Sequence, residues 1–536
     1  MSSGGSGVDI PSFGSYVEGR ELAADQWVYV PVTRALLTDS FTSLTVKRKL
    51  DSGELSESAA TPDIFAGRVA VADAGVVAEA LRAASDAARV WRSAPLSTRV
   101  DDLLEAVRAN IIGKTETIER MMTYEGHPLE LARWEIAGWL EALTPLSRSF
   151  FRAELHKEFD YQGRRQIVRR RPDGVVCVNP PANAPMSSVI FAATLSIVGG
   201  NAVVVRAPRS VPLGAMWAIR EVLAPALAEV GAPPGTVNAV CGDPEPILQA
   251  WLDSPLVHDV MYFGSVANGL AFEKRCVAAG KKPVLELAGN DTVVVWSDAN
   301  LEHASEALLE SFFGSGQLCM IPNVVLAHPA IADELIALVA KKAQALRPGH
   351  PDEEGVLLSP VLRHDGFHRC LADALERGAR LVIGGGGMHL DGTPSDSGYF
   401  LQPTVVRVDG LAGARSLEAV AHETFFPLLP IVVPAEDDDA TLLEAFVEFV
   451  NSNLYGLRNS LWARDQAVID RYLDHVSNGG LLKVNDSHIA FSAPLPSHGG
   501  TGRTGGVFGE ANYPVLRTTH VQGVSILPAD TAPRYR

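Results

Sequence analysis

Apolar and polar residues alternate along this chain with two different periods, and the changes of period divide it. From Asp73 to Leu155 apolar residues recur every three to four positions, with Ala, Leu and Val on one face and Arg, Glu and Asp on the other. The pattern predicts helices over Val76–Trp91, Leu96–Lys114, Thr115–Glu125 and Leu129–Leu146. Phe159–Arg171 then reads as a hairpin, because Tyr161, Ile167 and Val168 alternate with polar residues about a Gln-Gly turn. Beyond Gly174 short β-branched runs alternate with helical stretches. Strands are predicted at Gly174–Val178, Ala202–Arg206, Thr236–Cys241 and His258–Phe263, with helices at Met186–Val198, Gly214–Val230, Pro244–Leu252 and Val266–Ala279. A second alternation supplies strands at Asp291–Trp296, Asn323–His328, Ala379–Ile383, Val405–Val408, Leu429–Val433 and Gly480–Asn485. Its helices fall at Ala330–Leu346, Gly366–Gly378, Asp439–Ser452 and Arg464–His475. The rhythm predicts an α/β protein with two parallel-sheet domains, the first of the Rossmann-like kind that holds a nucleotide.

Composition narrows this picture. A chain of 536 residues exceeds one hydrophobic core, which agrees with two domains. The formal charge of −17 disfavours nucleic acid or an anionic membrane as partner. The five arginines of Phe159–Arg171 therefore read as a solvent-facing hairpin or a subunit contact. Five cysteines with no CxxC pair predict a reducing compartment and no disulfide framework. The start of the chain lacks a basic, apolar leader, and the longest apolar run, Val189–Val205, is interrupted by Gly199, Gly200 and Asn201. A soluble cytoplasmic protein is expected. Residues 1–60 are weakly patterned and read as an arm.

Candidate chemistry centres on Ser311–Pro322, SFFGSGQLCMIP. A helical pattern over Leu301–Phe313 is broken by Gly314 and Gly316 just before Cys319. A thiol at such a break can be reached from solvent while its amide points inward, a posture that suits a nucleophile. A buried, inert cysteine is the alternative. The glycine fingerprint of dinucleotide folds is missing, and FGSVANG (263–269) is its nearest substitute. It sets Gly264 and Ser265 at a helix N-terminus, where a phosphate is stabilised. His364, His368 and Cys370 have ligand-like helical spacing but no fourth partner nearby, so no metal is expected.

Eight motifs occur in one order: PPANAP (180–185), YFGS (262–265), ELAGND (286–291), GQLC (316–319), GYFLQPT (398–404), ETFFP (423–427), NLYGL (453–457) and HGGTGRTG (498–505). Together they resemble the aldehyde dehydrogenase superfamily over roughly residues 60–525. The resemblance implies a cofactor domain (61–150 and 174–286), a catalytic domain (287–509) and an oligomerisation element (151–173 and 510–536) beside the arm (1–60). It implies NAD(P)-dependent oxidation of an aldehyde, with Cys319 as nucleophile, Asn183 holding the oxyanion and Glu286 activating water to hydrolyse a thioester. Pro181, Arg206, Arg209, Gly264, Ser265, Glu423 and Phe425 are the implied cofactor contacts. Arg209 stands where many NAD-using members carry a glutamate, which favours NADP, or both cofactors. Ala182, Ala288, Asn290 and Phe426 depart from the usual motifs and mark an outlying subgroup. A CoA-acylating relative and a catalytically silent binding protein are the alternatives; the intact Asn183, Glu286 and Cys319 set speaks against both. The expected partners are a small aldehyde and further copies of the chain, as homodimer or homotetramer. Trp134, Trp139 and Phe491 are candidate walls of the aldehyde site, and core packing accounts for each equally well.

Overall fold

Val175–Asn179 is the strand from which the first sheet grows in both directions. The computed structural model describes residues 10–496 and 498–531. Ala202–Pro208 and then Val237–Gly242 extend that sheet on one side, and Asp259–Gly264 and then Lys282–Leu287 on the other, all parallel. Helices cover both faces, as parallel sheets require. Val176, Val178, Val203 and Val205 pack into one core, while Val175, Cys177, Ala202 and Val204 pack into another on the opposite face. The chain reverses its direction of growth between Val175–Asn179 and Asp259–Gly264. A ligand crevice opens at such a switch point, outside the carboxyl ends of the strands.

The expected arm is built into the body of the molecule. Ser15–Val17 and Arg20–Leu22 form a hairpin that pairs antiparallel with the Val237–Gly242 edge. Ser12–Phe13 and Trp27–Pro31 flank Phe65–Ala70 in a separate three-stranded sheet. The same region contains the helix Ser40–Asp51, whose Asp51 accepts from the Tyr29 backbone N–H at 2.9 Å. Strands of two or three residues are too short to display a period.

The second sheet runs Arg380–Ile383, Thr404–Asp409, Leu428–Val433, Pro322–Ala327, Asp291–Val295, Arg458–Trp462 and Leu481–Val484. The first of these is antiparallel to its neighbour. A third, antiparallel sheet joins His156–Tyr161, Arg164–Pro172 and Thr519–Ile526. Its tight turn places Gln162 (φ 51°) and Gly163 (φ 74°) in the left-handed region, as a two-residue hairpin demands. Pro514–Arg517 form a helical turn before this C-terminal strand begins. Among the described residues no helix is long and apolar enough to cross a membrane.

Candidate active site

The nucleophile candidate sits on a forced turn. The helix Leu301–Leu308 runs into a tighter segment in which Gly314 (φ 58°) and Ser315 (φ 57°) are left-handed. Hydrogen bonds lock this shape: Gly314 N–H to the Leu357 carbonyl at 2.9 Å, and Ser315 Oγ to the Ser359 carbonyl at 2.6 Å. A Cβ on Gly316 would lie 2.3 Å from the Phe426 carbonyl oxygen, and one on Gly289 would lie 2.0 Å from that of Cys319. Neither glycine can carry a side chain without displacing backbone. Cys319 leaves the turn half-buried, whereas Cys177, Cys241, Cys276 and Cys370 are buried.

Three separate stretches converge on Cys319. Asn183, in the loop after Val175–Asn179, donates from Nδ2 to the Gln317 carbonyl at 3.0 Å, two residues before the thiol. Glu286, near the end of Lys282–Leu287, comes from the first sheet. Glu423 accepts from the Gly289 N–H at 3.0 Å. Burial pushes the Cys319 thiol up to about 12, reinforced by Glu423, Glu286 and Asp291 and opposed by the nearby Arg458. Burial likewise pushes Glu423 up to about 8, against the Gly289 N–H.

Glu286 has a partner that no local pattern announces. Arg517 donates from Nη1 to Glu286 Oε1 at 2.7 Å and from Nη2 to the Leu285 carbonyl at 2.7 Å. The two side chains are 8% and 6% exposed. Burial raises the Glu286 carboxyl above its ordinary range, while Arg517 and the Gly499 N–H draw it back. The Gly289–Asn290 link beyond Glu286 is tied down by Asn453, which donates to the Asn290 carbonyl at 2.6 Å.

The cofactor side lies along one edge of the first sheet. Ser265 caps the helix Val266–Ala278, accepting from the Asn268 N–H at 3.4 Å, and Gly264 closes the preceding strand. Pro181 lies in the loop after the neighbouring strand. Arg206 is buried at 6% exposure and braces the strand ends, donating to Asn179 Oδ1 at 2.6 Å and the Gly242 carbonyl at 3.1 Å. Arg209 lies farther out and grips Asp243 at 2.8 and 2.9 Å. It borders a notch of about 450 Å³ lined also by Leu44, Lys47, Arg48, Asp51 and Ser52. Phe425 is left-handed (φ 54°), a strained posture for an aromatic residue. These groups fit a dinucleotide: amides at a helix N-terminus for its phosphates and a basic notch at the strand ends for its ribose.

The wall beside Cys319 is apolar. Leu131, Leu318, Met320, Ile321, Leu457 and Ile489 pack around it, with Trp134, Phe313 and Phe491 half-buried at its margin. Trp134 and Phe491 have ring centroids 5.5 Å apart. Trp139 is different: it is 1% exposed and donates to Ser187 Oγ at 2.9 Å, so it belongs to the core. His364 Nε2 donates to the Val361 carbonyl at 3.0 Å, and among the described residues no His, Cys, Asp and Glu gather as a metal site.

A parallel sheet with a crevice at its switch point, a second α/β sheet and a half-buried cysteine on a forced turn make up an enzyme-like site on a two-sheet α/β fold. The aldehyde dehydrogenase family profile matches residues 56–521, and the chain belongs to that family. It is an oxidoreductase that oxidises an aldehyde with NAD(P). Among curated relatives, 3-sulfolactaldehyde dehydrogenase of Pseudomonas putida is 29% identical, the match covering 88% of this chain and 95% of that protein. Phenylacetaldehyde dehydrogenase of Pseudomonas fluorescens is 28% identical, covering 85% and 89% respectively. Among solved structures, aldehyde dehydrogenase 21 of Physcomitrella patens superimposes with a TM-score of 0.79 at 20% identity, over 98% of this chain and all (100%) of that one. An Escherichia coli NADP-dependent enzyme gives 0.78 at 23% identity, over 97% and 99%.

Proposed function

We propose that Cys319 attacks the aldehyde, Asn183 holds the oxygen and Glu286 prepares the water that releases the acid. The convergence of Asn183 and Glu286 on Cys319 from two separate stretches supports this. The thiol, pushed up to about 12, has to lose its proton as sulfur attacks. That proton leaves to solvent, which reaches the half-buried Cys319, so Glu286 is still unprotonated for the second step; Glu423, at about 8, is itself protonated near neutrality. Attack forms the sulfur–carbon bond and turns the carbonyl oxygen into an oxyanion. Asn183 spends one amide N–H on Gln317; its second, with the Cys319 backbone N–H, stabilises that oxyanion. NAD(P)⁺ would supply the hydride acceptor; as hydride leaves the carbon bonded to Cys319, the oxyanion collapses to a thioester. Glu286 then draws a proton from water, which adds to the thioester carbon and expels the thiolate.

Ser265, Gly264, Pro181, Glu423 and Phe425 hold the cofactor in this reading. Arg209 selects for the 2′-phosphate by turning away from Asp243. Breaking that exposed pair costs about 0–1 kcal/mol, whereas a charge-assisted contact to phosphate contributes about 1.5–3 kcal/mol. Lys47 and Arg48 line the same notch. NADP is therefore accepted, with NAD as the alternative. The apolar wall of Trp134, Phe313 and Phe491 favours apolar or aromatic aldehydes over carboxylate-bearing ones. The third sheet exposes Phe159, Tyr161, Val168 and Val521, an apolar face that pairing between subunits would cover. A cytoplasmic homo-oligomer fits these features and the free cysteines.

The test is NAD(P)H formation with a panel that includes phenylacetaldehyde and succinate semialdehyde, with and without CoA. Free acid from the aryl aldehyde is expected, with no acceleration by CoA. Acyl-CoA as product would replace this reading by the acylating one; no turnover across the panel would leave the binding role.

A further inference from the structure

Arg517 is absent from every motif, yet it lies in direct contact with the expected base. It ends the helical turn Pro514–Arg517 and is fully engaged on Glu286 and on the Leu285 carbonyl. The surroundings are shaped for it. Gly499 is left-handed (φ 77°), and a Cβ there would lie 2.6 Å from Arg517 Nη1 and 2.4 Å from the Glu510 carbonyl. From behind, Arg170 donates to the Leu516 carbonyl at 2.8 Å, fixing the turn that carries Arg517.

We propose that Arg517 is a positioning residue that keeps Glu286 ionised and aimed, so that the carboxylate can serve as base inside a dry site. This rests on the reading of Glu286 as the base. A carboxyl buried alone takes up a proton near neutrality and can no longer accept one from water. The groups that face Glu286 are the Arg517 guanidinium, the Gly499 N–H and the Cys319 thiol. His498, next in sequence to Gly499, stays neutral, since burial and the charges of Arg458 and Arg517 pull its imidazole down to about 3. Arg517 is thus the charge that opposes the effect of burial. Its two hydrogen bonds have separate effects. Nη2 anchors the guanidinium on the backbone of the base's own strand, and Nη1 sets where the carboxylate rests.

The test compares wild type with Arg517→Met, Arg517→Lys and Glu286→Gln in single-turnover and steady-state assays across pH. Arg517→Met is expected to give a full burst of NAD(P)H, then steady turnover slowed at least tenfold at pH 7. Its steady rate should recover at higher pH, with the midpoint moved up by roughly 1–3 pH units, the size of a carboxylate's response to a neighbouring arginine. Arg517→Lys, which keeps the charge, should restore most of the neutral-pH rate and keeps the question open to test if the methionine variant does not fold. Glu286→Gln should show the burst with no recovery at high pH. An unmoved midpoint in Arg517→Met, or lysine no better than methionine, overturns the inference while leaving Glu286 as base. Glu286→Gln that turns over like wild type overturns the base and the inference together.

Discussion

Two arginine–carboxylate pairs in this molecule have nearly the same separation and opposite surroundings. Arg209 meets Asp243 at 2.8 Å, with side chains 44% and 62% exposed. Arg517 meets Glu286 at 2.7 Å, with side chains 6% and 8% exposed. In water the first pair is screened and exchanges freely with other partners. In the interior neither member of the second can lose the other without a bare charge being left behind. The distance alone says nothing about which pair can be rearranged. In the proposed reading, Arg209 would thus be an adjustable contact at the cofactor end and Arg517 a committed one at the chemical end.

The comparison has meaning only if the thiol between the two ends is the nucleophile, and that gives the largest expected effect. Cys319→Ser should lose aldehyde oxidation altogether while keeping its fold and cofactor binding, since a serine hydroxyl is far less ionised than a thiol. Substantial NAD(P)H production by this variant would remove the basis for the rest. Next comes stability. Arg517→Met should lower unfolding free energy at pH 7 by about 3–5 kcal/mol, and Arg209→Met by less than about 1 kcal/mol. Equal losses in urea titrations would show that burial does not separate the two pairs. The cost at Arg517 should shrink as pH falls and Glu286 takes up a proton.

A third change sharpens the adjustable end. Arg209→Glu should shift the ratio of kcat/KM for NADP over NAD toward NAD by roughly ten- to a hundredfold. A wild type that already prefers NAD tenfold, or an unchanged ratio, would take selection away from Arg209. A further effect, read in stability alone, concerns Glu423, pushed up to about 8 by burial. A carboxyl raised in the folded state stabilises the fold fully below its unfolded value of about 4.3. That contribution is lost as pH climbs through the folded value. Wild type should therefore lose Tm relative to Glu423→Gln between about pH 4.5 and pH 8. Parallel Tm curves would mean that Glu423 is not held as a buried acid.

What could be read from the sequence was what is local. The glycines at 314 and 316 announced the break before Cys319, and Ser265 announced a helix cap after a strand. The alternating runs gave most strands of both sheets, those of four to seven residues rich in β-branched side chains; Lys282–Leu287 and Arg458–Trp462, no shorter, were missed. The N-terminal strands escaped because Ser12–Phe13 and Ser15–Val17 are too short to show a period, and their partners lie far along the chain. Arg517 escaped for a stronger reason: 231 positions separate it from Glu286, and its own neighbours, Leu516 and Thr518, reveal nothing of charge. Arg206 shows the converse. Its position in the strand was plain, but its inward turn toward Asn179 depends on a neighbouring strand's end, which no linear pattern carries.

The backbone contacts around Cys319 set a limit on how this site can change. Gly289 lies directly against the Cys319 carbonyl and Gly316 against that of Phe426, with no side chain between the loops. The height of the sulfur above the second sheet is therefore fixed by the thickness of peptide planes, which no exchange of side chains alters. A library that randomises this neighbourhood should return glycine at both positions whatever aldehyde is used for selection. New substrate preferences should accumulate at Trp134 and Phe491, where the wall is made of side chains alone.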